Sequence, residues 1–228
     1  MIEKISFINL SIGMLGNLTN KIGNLIKYLP DGSYVSGGFV RDLYHKKQFK
    51  DLDIVCQRDV ETIEFTKTAI RMALGNNITF EKYVKVDNEN YNANSIHEVW
   101  KVIGAPVEID IIVRKAFGLS PLDVISDFDL SINQGVLTYS KDYGLFAYYN
   151  TSKYVTINTK YPPNVKRIER LKDKFPNLIW IAVNKEVDKL KNPPKRDKNL
   201  KGHFNIEWGR AMIEPVPVRF EGVAHDEF

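Results

Sequence analysis

The chain has 228 residues, which suits one large domain or one domain with a small appendage. Hydrophobic residues make up 43% of it, a share that excludes an intrinsically disordered chain. The single cysteine, Cys56, excludes an internal disulfide and predicts a reducing, cytoplasmic setting. The N-terminal residues contain no basic stretch followed by an apolar core, and no run of about eighteen apolar residues occurs. We therefore expect neither a secretory signal nor a membrane partner.

The positive charge of the chain is concentrated in one block. The net charge is +4 overall, but it is −2 over residues 1–150, +9 over residues 151–201 and −3 over residues 202–228. A basic block of this kind is either a solvated helical face or a surface that contacts phosphate groups or RNA. The sequence leaves both interpretations open.

Helical and alternating apolar patterns follow one another along the chain. In chain order they predict a helix over 8–28, a short strand at 34–35, a helix over 39–45, a strand over 49–55, a helix over 60–74, strands over 78–86, 99–103 and 107–113, a hairpin over 135–146 and a helix over 164–174. The stretch 122–128 is ambiguous, and we expect an irregular, extended tail beyond residue 191. The alternation of helices and strands predicts an α/β or α+β fold.

Two carboxylates lie two residues apart on the second predicted strand, at Asp51 and Asp53. Because side chains on a strand alternate between its faces, both point the same way while Leu52 points to the core. A divalent cation relieves the repulsion within such a pair, and oxygen ligands favour Mg²⁺. A later predicted strand carries Glu108 and Asp110 at the same spacing. If the two strands are neighbours, the later one supplies a third carboxylate.

A pair of glycines, Gly37 and Gly38, stands where the first short strand ends and a helix begins. Glycine lets the backbone approach a bound group, and a helix N-terminus favours anions. Ser36 adds a hydroxyl, Arg41 lies one turn into the helix within reach of phosphates, and Asp42 is placed to orient it. We therefore expect a triphosphate at this turn, next to metal ions on the aspartate pair.

Two stretches of the sequence resemble a known family. GGFVRDLYHKKQFKDLDIV, residues 37–55, resembles the head-domain motif of the nucleotidyltransferase superfamily (DNA polymerase beta-like), and most closely that of the tRNA nucleotidyltransferases (CCA-adding) and bacterial poly(A) polymerases. In that group Gly-Gly-x-Val-Arg-Asp is followed by a short helix, a loop and Asp-x-Asp. DLSIN, residues 129–133, resembles the group's Asp-Phe-Thr-Ile-Asn, which binds the sugar and the triphosphate.

The resemblance implies a nucleotidyltransferase-type mixed sheet flanked by helices. It also implies Mg²⁺-dependent transfer of an NMP from an NTP to an acceptor hydroxyl, with release of pyrophosphate. Asp51, Asp53 and Asp110 would be catalytic and, together with Glu108, would hold two Mg²⁺ ions. The expected nucleotide-binding residues are Ser36, Gly37, Gly38, Arg41, Asp129 and Asn133.

From these patterns we expect a nucleotidyltransferase catalytic domain over 1–150, a short basic helical segment over 151–200 and an extended C-terminal tail over 201–228. The basic segment favours an RNA acceptor, such as a tRNA-like 3′ end, and the predicted contacts are Lys166, Arg167, Arg170 and Lys174. Three alternatives stay open. In the first, the acceptor is a small molecule or a protein side chain. In the second, the protein is a binding or structural module that has this fold but no catalytic turnover. In the third, the chain is a subunit of a larger assembly and docks on a protein partner through its tail.

Two features depart from the group's pattern. Phe128 stands where the group usually has an arginine before the first aspartate of Asp-Phe-Thr-Ile-Asn. A Glu-Asp-x-x-Arg motif, which reads the incoming base in that group, is not found. Arg167 and Arg170 either take over phosphate contacts, meet the acceptor, or belong to an ordinary amphipathic helix.

Overall fold

The computed structural model describes residues 1–11, 15–83, 95–158 and 162–181. The chain divides into a unit of Met1–Pro193 and a unit of Pro194–Phe228. The second unit lies outside the described residues, as do the predicted tail and the part of the basic segment beyond residue 181. The domain boundaries predicted at residues 150 and 200 therefore stay predictions.

The described residues form ten strands and six α-helices. The strands are β1 (Ile2–Ser6), β2 (Ser33–Ser36), β3 (Asp51–Cys56), β4 (Thr79–Tyr83), β5 (Ile96–Ile103), β6 (Glu108–Arg114), β7 (Gly135–Ser140), β8 (Gly144–Asn150), β9 (Tyr154–Val155) and β10 (Ile179–Trp180). The helices are α1 (Phe7–Ser11), α2 (Thr19–Tyr28), α3 (Gly38–Tyr44), α4 (Val60–Leu74), α5 (Pro121–Ser126) and α6 (Val165–Lys174), with 3₁₀ turns at Gly16–Leu18 and Ser131–Asn133.

Eight of these strands form one mixed sheet in the order β1-β8-β7-β2-β3-β6-β5-β4. The pair β3–β6 is parallel, and every other neighbouring pair in this sheet is antiparallel. β9 and β10 form a separate parallel pair. The mixed sheet with flanking helices confirms the predicted fold class. Among the described residues, no helix is both long and apolar enough to cross a membrane.

Helices α2, α3 and α4 cover one face of the sheet. The apolar residues of α2 repeat at helical spacing and put Ile22, Leu25 and Ile26 into a core with Leu52 and Ile54 of β3. On the opposite face, α5 packs onto the sheet through a smaller cluster formed by Val55, Ile112, Val124, Ile125 and Val136. The carboxylates of β3 and β6 lie on this second face, and α5 covers only part of it.

Helix α6 packs against the segment that follows α5. Its Leu171, together with Phe175, packs with Leu130, Ile132 and Val155 in a separate apolar cluster. Asn164 caps its N-terminus, because the side chain accepts a hydrogen bond from the Arg167 N–H at 2.8 Å. This packing places the basic face of α6 beside the open part of the sheet.

Most predicted elements are confirmed within the described residues, but residues 84–86 of the strand predicted over 78–86 lie outside them, and the helix predicted over 8–28 is wrong as one continuous element. The chain instead forms α1, a 3₁₀ turn and α2, and Gly16 adopts φ +50°, which an α-helix cannot accommodate. The ambiguous stretch contains α5, which begins with a capping box formed by Ser120 and Asp123. β1 was not predicted, because this exposed edge strand has no alternating apolar pattern.

Candidate active site

The carboxylates of β3 and β6 lie side by side in the sheet. The parallel register pairs Asp53 with Asp110 and Asp51 with Glu108. Leu52 is fully buried on the opposite face, as the alternation of a strand requires. Two carboxylate pairs that are distant in sequence therefore meet on one face of the sheet. β6 is the neighbouring strand that was predicted to supply a third carboxylate.

The four carboxylates differ in their surroundings. Lys50 Nζ lies 3.2 Å from Glu108 Oε2 and 3.8 Å from Asp51 Oδ2, at the exposed rim of the site. Asp110 lies deeper, next to Asp53, and pairs with no cation within the described part of the chain. Asp110 is therefore better placed than Glu108 to join Asp51 and Asp53.

Crowding and burial raise the pKa of two of these groups. Desolvation is the largest cause for Asp53, and the charges of Asp51 and Asp110 add to it, so that the pKa rises to about 7. Asp53 is partly exposed and lines the cleft, so water reaches part of this residue. The pKa of Asp110 is also raised, mainly by desolvation and with a contribution from the charges of Asp51 and Glu108, against the opposing charge of Lys101.

The donor set of this site suits a hard divalent cation. Asp51, Asp53 and Asp110 offer only oxygen atoms, and their mutual repulsion is what a cation would relieve. Ser36, paired with Asp53 in the antiparallel register, has a buried hydroxyl with no hydrogen-bond partner among the described residues. Within those residues, no three acidic, histidine or cysteine side chains converge as a formed metal site. The carboxylates are thus neighbours by strand register and do not form a closed cage.

We expect the metal-free protein to lose stability as the pH rises from 3.8 to about 7. Asp53 holds its proton more tightly in the folded protein than in the unfolded chain, so stability is greatest below this window and falls through it. The expected loss is about 2 kcal/mol, which is less than the whole shift would give at ~1.4 kcal/mol for each pKa unit, because cleft water screens the charge. Urea unfolding in EDTA across this range measures it. Asp53→Asn should flatten the dependence, and an unchanged slope in this variant would assign the effect to other groups.

The Gly37–Gly38 turn joins β2 to α3. Gly37 has φ +71° and caps α3, and its N–H donates to Gly135 O at 2.9 Å. This N–H is therefore already used, and α3 has only seven residues. A methyl group on Gly37 would lie 3.1 Å from Phe128 Cε1. The turn thus requires glycine for its conformation and for close contact with Phe128, while the predicted contact of Gly37 and Gly38 with phosphates stays a prediction.

Replacing Gly37 with alanine should destabilise the fold by about 1–3 kcal/mol, because a side chain at this φ is strained and would also press on Phe128. Gly144→Ala is the matched control, since Gly144 has φ +66° with nothing within 4 Å of an added methyl. The free energy of urea unfolding of Gly144→Ala reports backbone strain alone, and that of Gly37→Ala reports strain together with the Phe128 contact. Equal losses in the two variants would show that the Phe128 contact contributes nothing.

Arg41 is the centre of a buried polar network. It is 8% exposed, its Nε donates to Asp42 Oδ1 at 2.7 Å, and its Nη1 donates to Asn133 Oδ1 at 2.7 Å. Asn133 Nδ2 in turn donates to Asp129 Oδ1 at 2.9 Å. The predicted orientation of Arg41 by Asp42 is confirmed. Arg41 also holds the DLSIN segment, a role that the sequence did not indicate.

Two basic residues of α6 join this network. Arg167 Nε lies 2.6 Å from Asp129 Oδ2 without a well-aligned hydrogen bond, so the contact is an ion pair. Lys174 Nζ donates to Asp42 Oδ2 at 2.8 Å. Sequence reasoning missed both partners, because they lie 38 and 132 positions away in the chain. The sequence feature that indicated a contact for these residues was the spacing of the basic residues on one helical face.

The four predicted RNA contacts on α6 are therefore not equivalent. Arg167 and Lys174 face the cleft and are paired with aspartates. Lys166 and Arg170 are exposed, and Arg170 also lines the cleft. Of the five basic residues of this helix, Arg167, Arg170 and Lys174 line the cleft, Lys166 is exposed and Lys172 is half-buried.

These elements enclose a cleft of about 940 Å³, which lies within the size range of small-molecule sites. The carboxylates Asp51, Asp53 and Asp110 and the cations Arg41, Arg167, Arg170 and Lys174 all line this cleft. A cleft lined by both carboxylates and cations can hold metal ions and a polyphosphate at the same time.

The fold is that of the nucleotidyltransferases. The structure resembles a CCA-adding enzyme in its apo form (19% identity, TM-score 0.55), a CCA-adding enzyme in complex with CTP (21%, 0.56) and the Thermotoga maritima CCA-adding enzyme in complex with tRNA (17%, 0.52). The matches cover 82%, 84% and 83% of this chain but 46% of each of those chains, so this chain spans less than half of their length.

The chain belongs to the Gabija anti-defense 2 family, whose sequence profile matches residues 13–160. Comparison with curated proteins gives no significant match.

Proposed function

We propose that this protein is a metal-dependent nucleotidyltransferase that transfers an NMP from an NTP to an acceptor hydroxyl and releases pyrophosphate. The observation that carries the proposal is the register of β3 and β6, which brings Asp51, Asp53 and Asp110 together in a cleft that Arg41 and basic residues of α6 also line. Solved CCA-adding enzymes bound to ATP, CTP and tRNA support an NTP substrate and an RNA acceptor.

In this proposal, Asp51, Asp53 and Asp110 would hold two Mg²⁺ ions, which would supply positive charge at the attacking and leaving oxygens. Ser36, Gly37 and Gly38 border the nucleotide, and Arg41 is positioned at the triphosphate by Asp42 and Asn133. Asp129 acts through Asn133 and Arg167 and keeps both in place. The protein's own contribution is mainly the positioning and neutralisation of charge.

The transfer forms a bond between the acceptor oxygen and the α-phosphorus and breaks the bond from that phosphorus to pyrophosphate. The acceptor proton passes to the carboxylate of Asp110. Asp110 is placed for this role because it lies beside Asp53 in the strand register, on the β5 side of the carboxylate cluster. Glu108, paired with Lys50 at the rim, keeps a secondary role beside the metal site.

Membership of the family suggests that the transfer serves to counteract Gabija defence. RNA is the favoured acceptor, because cations line the cleft and the basic segment begins at its edge. A protein acceptor is the second candidate, since an anti-defence role fits direct modification of a defence component. A small-molecule acceptor stays an alternative, and so does a subunit role through the C-terminal tail, which lies outside the described residues.

Incubation with each radiolabelled NTP in turn, Mg²⁺ and either single-stranded RNA or purified Gabija proteins tests the proposal. We expect label on the RNA and an equal amount of pyrophosphate, with both lost in EDTA. Label on a Gabija protein alone would move the acceptor to the second candidate. Absence of pyrophosphate with every NTP and acceptor would contradict the proposed function.

A further inference from the structure

The cleft face of the sheet continues past the carboxylates onto β5 and β4. Across the strands, Asp53 lies beside Asp110, Asp110 beside Lys101 and Lys101 beside Glu81. Because directly opposite residues project from the same face, these side chains form one row. A basic residue therefore stands immediately beyond the third carboxylate, on the side away from the Gly37–Gly38 turn.

The adjacent row is apolar and ends in an aromatic ring. It consists of Val55, Ile112, Val99 and Tyr83, each opposite the next across the strands. Tyr83 and Lys101 both line the cleft, and Lys101 Nζ lies 5.6 Å from the centre of the Tyr83 ring. Lys101 is exposed and, within the described ranges, forms no ion pair. An aromatic ring and a cation, whose charge also acts on Asp110, thus lie together at the end of the cleft floor.

We propose that Tyr83 and Lys101 form the acceptor subsite, in which the ring of Tyr83 stacks on the base of the terminal nucleotide of a single-stranded RNA and Lys101 contacts its backbone phosphate. This assignment rests on the proposed function, because it concerns the molecule that receives the NMP.

Strand order decides which side of the carboxylates the acceptor occupies. The order β2-β3-β6-β5-β4 puts the turn and Arg41 on one side of the aspartates and Lys101 with Tyr83 on the other. If the triphosphate lies beside Arg41, the acceptor hydroxyl must approach from the β5 side to reach the α-phosphorus across Asp110. The two substrates are then separated by the carboxylates that act on both.

The chemistry of the subsite favours a nucleotide unit. The carboxylates repel an approaching polyanion, and Lys101 offsets this repulsion where a backbone phosphate would pass. An aromatic ring stacks on any base, because every base has a π face. The subsite therefore suits a single-stranded end, whose base is free to stack, without requiring a particular sequence.

Equilibrium binding of a fluorescent single-stranded RNA with a free 3′ hydroxyl tests the subsite without catalysis. Tyr83→Leu should weaken binding roughly tenfold, the loss expected for one stacked base, whereas Tyr83→Phe keeps the ring and should bind as wild type does. Lys101→Ala should reduce the slope of log affinity against log salt by about 0.7, as expected for one phosphate contact. Lys141→Ala is the matched control, because it removes an exposed lysine at the tip of the β7–β8 hairpin.

The outcomes separate this inference from the proposed function. RNA binding that depends on Tyr83 and Lys101 supports the subsite even if no NTP is turned over. Absence of NTP turnover would contradict the proposed function but not the subsite. If RNA receives the NMP but binds equally well to wild type, Tyr83→Leu and Lys101→Ala, the subsite is overturned and the proposed function stands. RNA that does not bind, with label on a protein instead, also overturns the subsite. Affinity for a fluorescent NTP should be unchanged in all four variants.

Discussion

Replacing Asp53 with asparagine is expected to lower the rate of NMP transfer by roughly 10²–10³ or more, which is the loss seen when one preorganised electrostatic group is removed from an active site. Asparagine has the same shape as aspartate but lacks the charge that a divalent cation requires. Asp53 lies between Asp51 and Asp110, so its removal affects the centre of the carboxylate cluster. Pyrophosphate release at saturating NTP measures the effect.

The variant should remain folded, because it removes a repelled carboxylate and leaves the strand pairing of β3 intact. Urea unfolding in EDTA at neutral pH should show stability equal to or above that of wild type, for the reason that raises the Asp53 pKa. Asp142→Asn, in the exposed β7–β8 turn, is the matched control and should keep full activity. NTP binding without metal should change little. Near-wild-type transfer by Asp53→Asn would show that the two-metal assignment is wrong.

Replacing Arg41 with alanine is expected to cost about 3 kcal/mol of stability and to raise the KM for NTP more than it lowers kcat. The guanidinium is buried and bonded to both Asp42 and Asn133, so its removal leaves polar groups of α3 and of the DLSIN segment without a partner. Lys174 still pairs with Asp42, which limits the loss. Urea unfolding and steady-state kinetics measure the two effects.

Arg58→Ala is the control for the loss of an arginine, since Arg58 is exposed on the loop that follows β3. Arg41→Lys separates charge from geometry, because lysine keeps the charge but cannot make both hydrogen bonds in the plane of a guanidinium. We expect this variant to recover part of the NTP affinity and little of the stability. A stable Arg41→Ala protein with an unchanged KM would refute both roles of Arg41.

Two basic residues of α6 show how tertiary contacts change an interpretation based on spacing. On helical spacing alone, Arg167 and Lys174 belong to an outer basic face suited to RNA. In the structure, each is paired with an aspartate of the domain, at Asp129 and Asp42. The reason is the apolar side of the same helix, where Leu171 packs on the DLSIN segment and turns the basic side towards the cleft.

Phe128 explains the most visible departure from the resemblance. A methyl group on Gly37 would contact the Phe128 ring, so this position belongs to the packing under the turn. A guanidinium near Asp129 is nevertheless present, because Arg167 approaches it from α6. A basic residue next to Asp129 is thus retained through a contact between segments that are far apart in sequence.

The sequence by itself determined the local elements and the chemistry that they carry. Strand alternation placed Asp51 and Asp53 on one face, the Gly37–Gly38 pair marked a turn before a helix, and the residue types indicated a divalent cation. These conclusions hold because they depend on neighbours within a few positions. The tertiary structure alone decided which strand lies beside β3, what Arg41 and Arg167 bind, and which side of the carboxylates Lys101 and Tyr83 occupy. Those contacts join segments dozens of residues apart, and they are set by the packing of whole elements into one sheet, which no local pattern records.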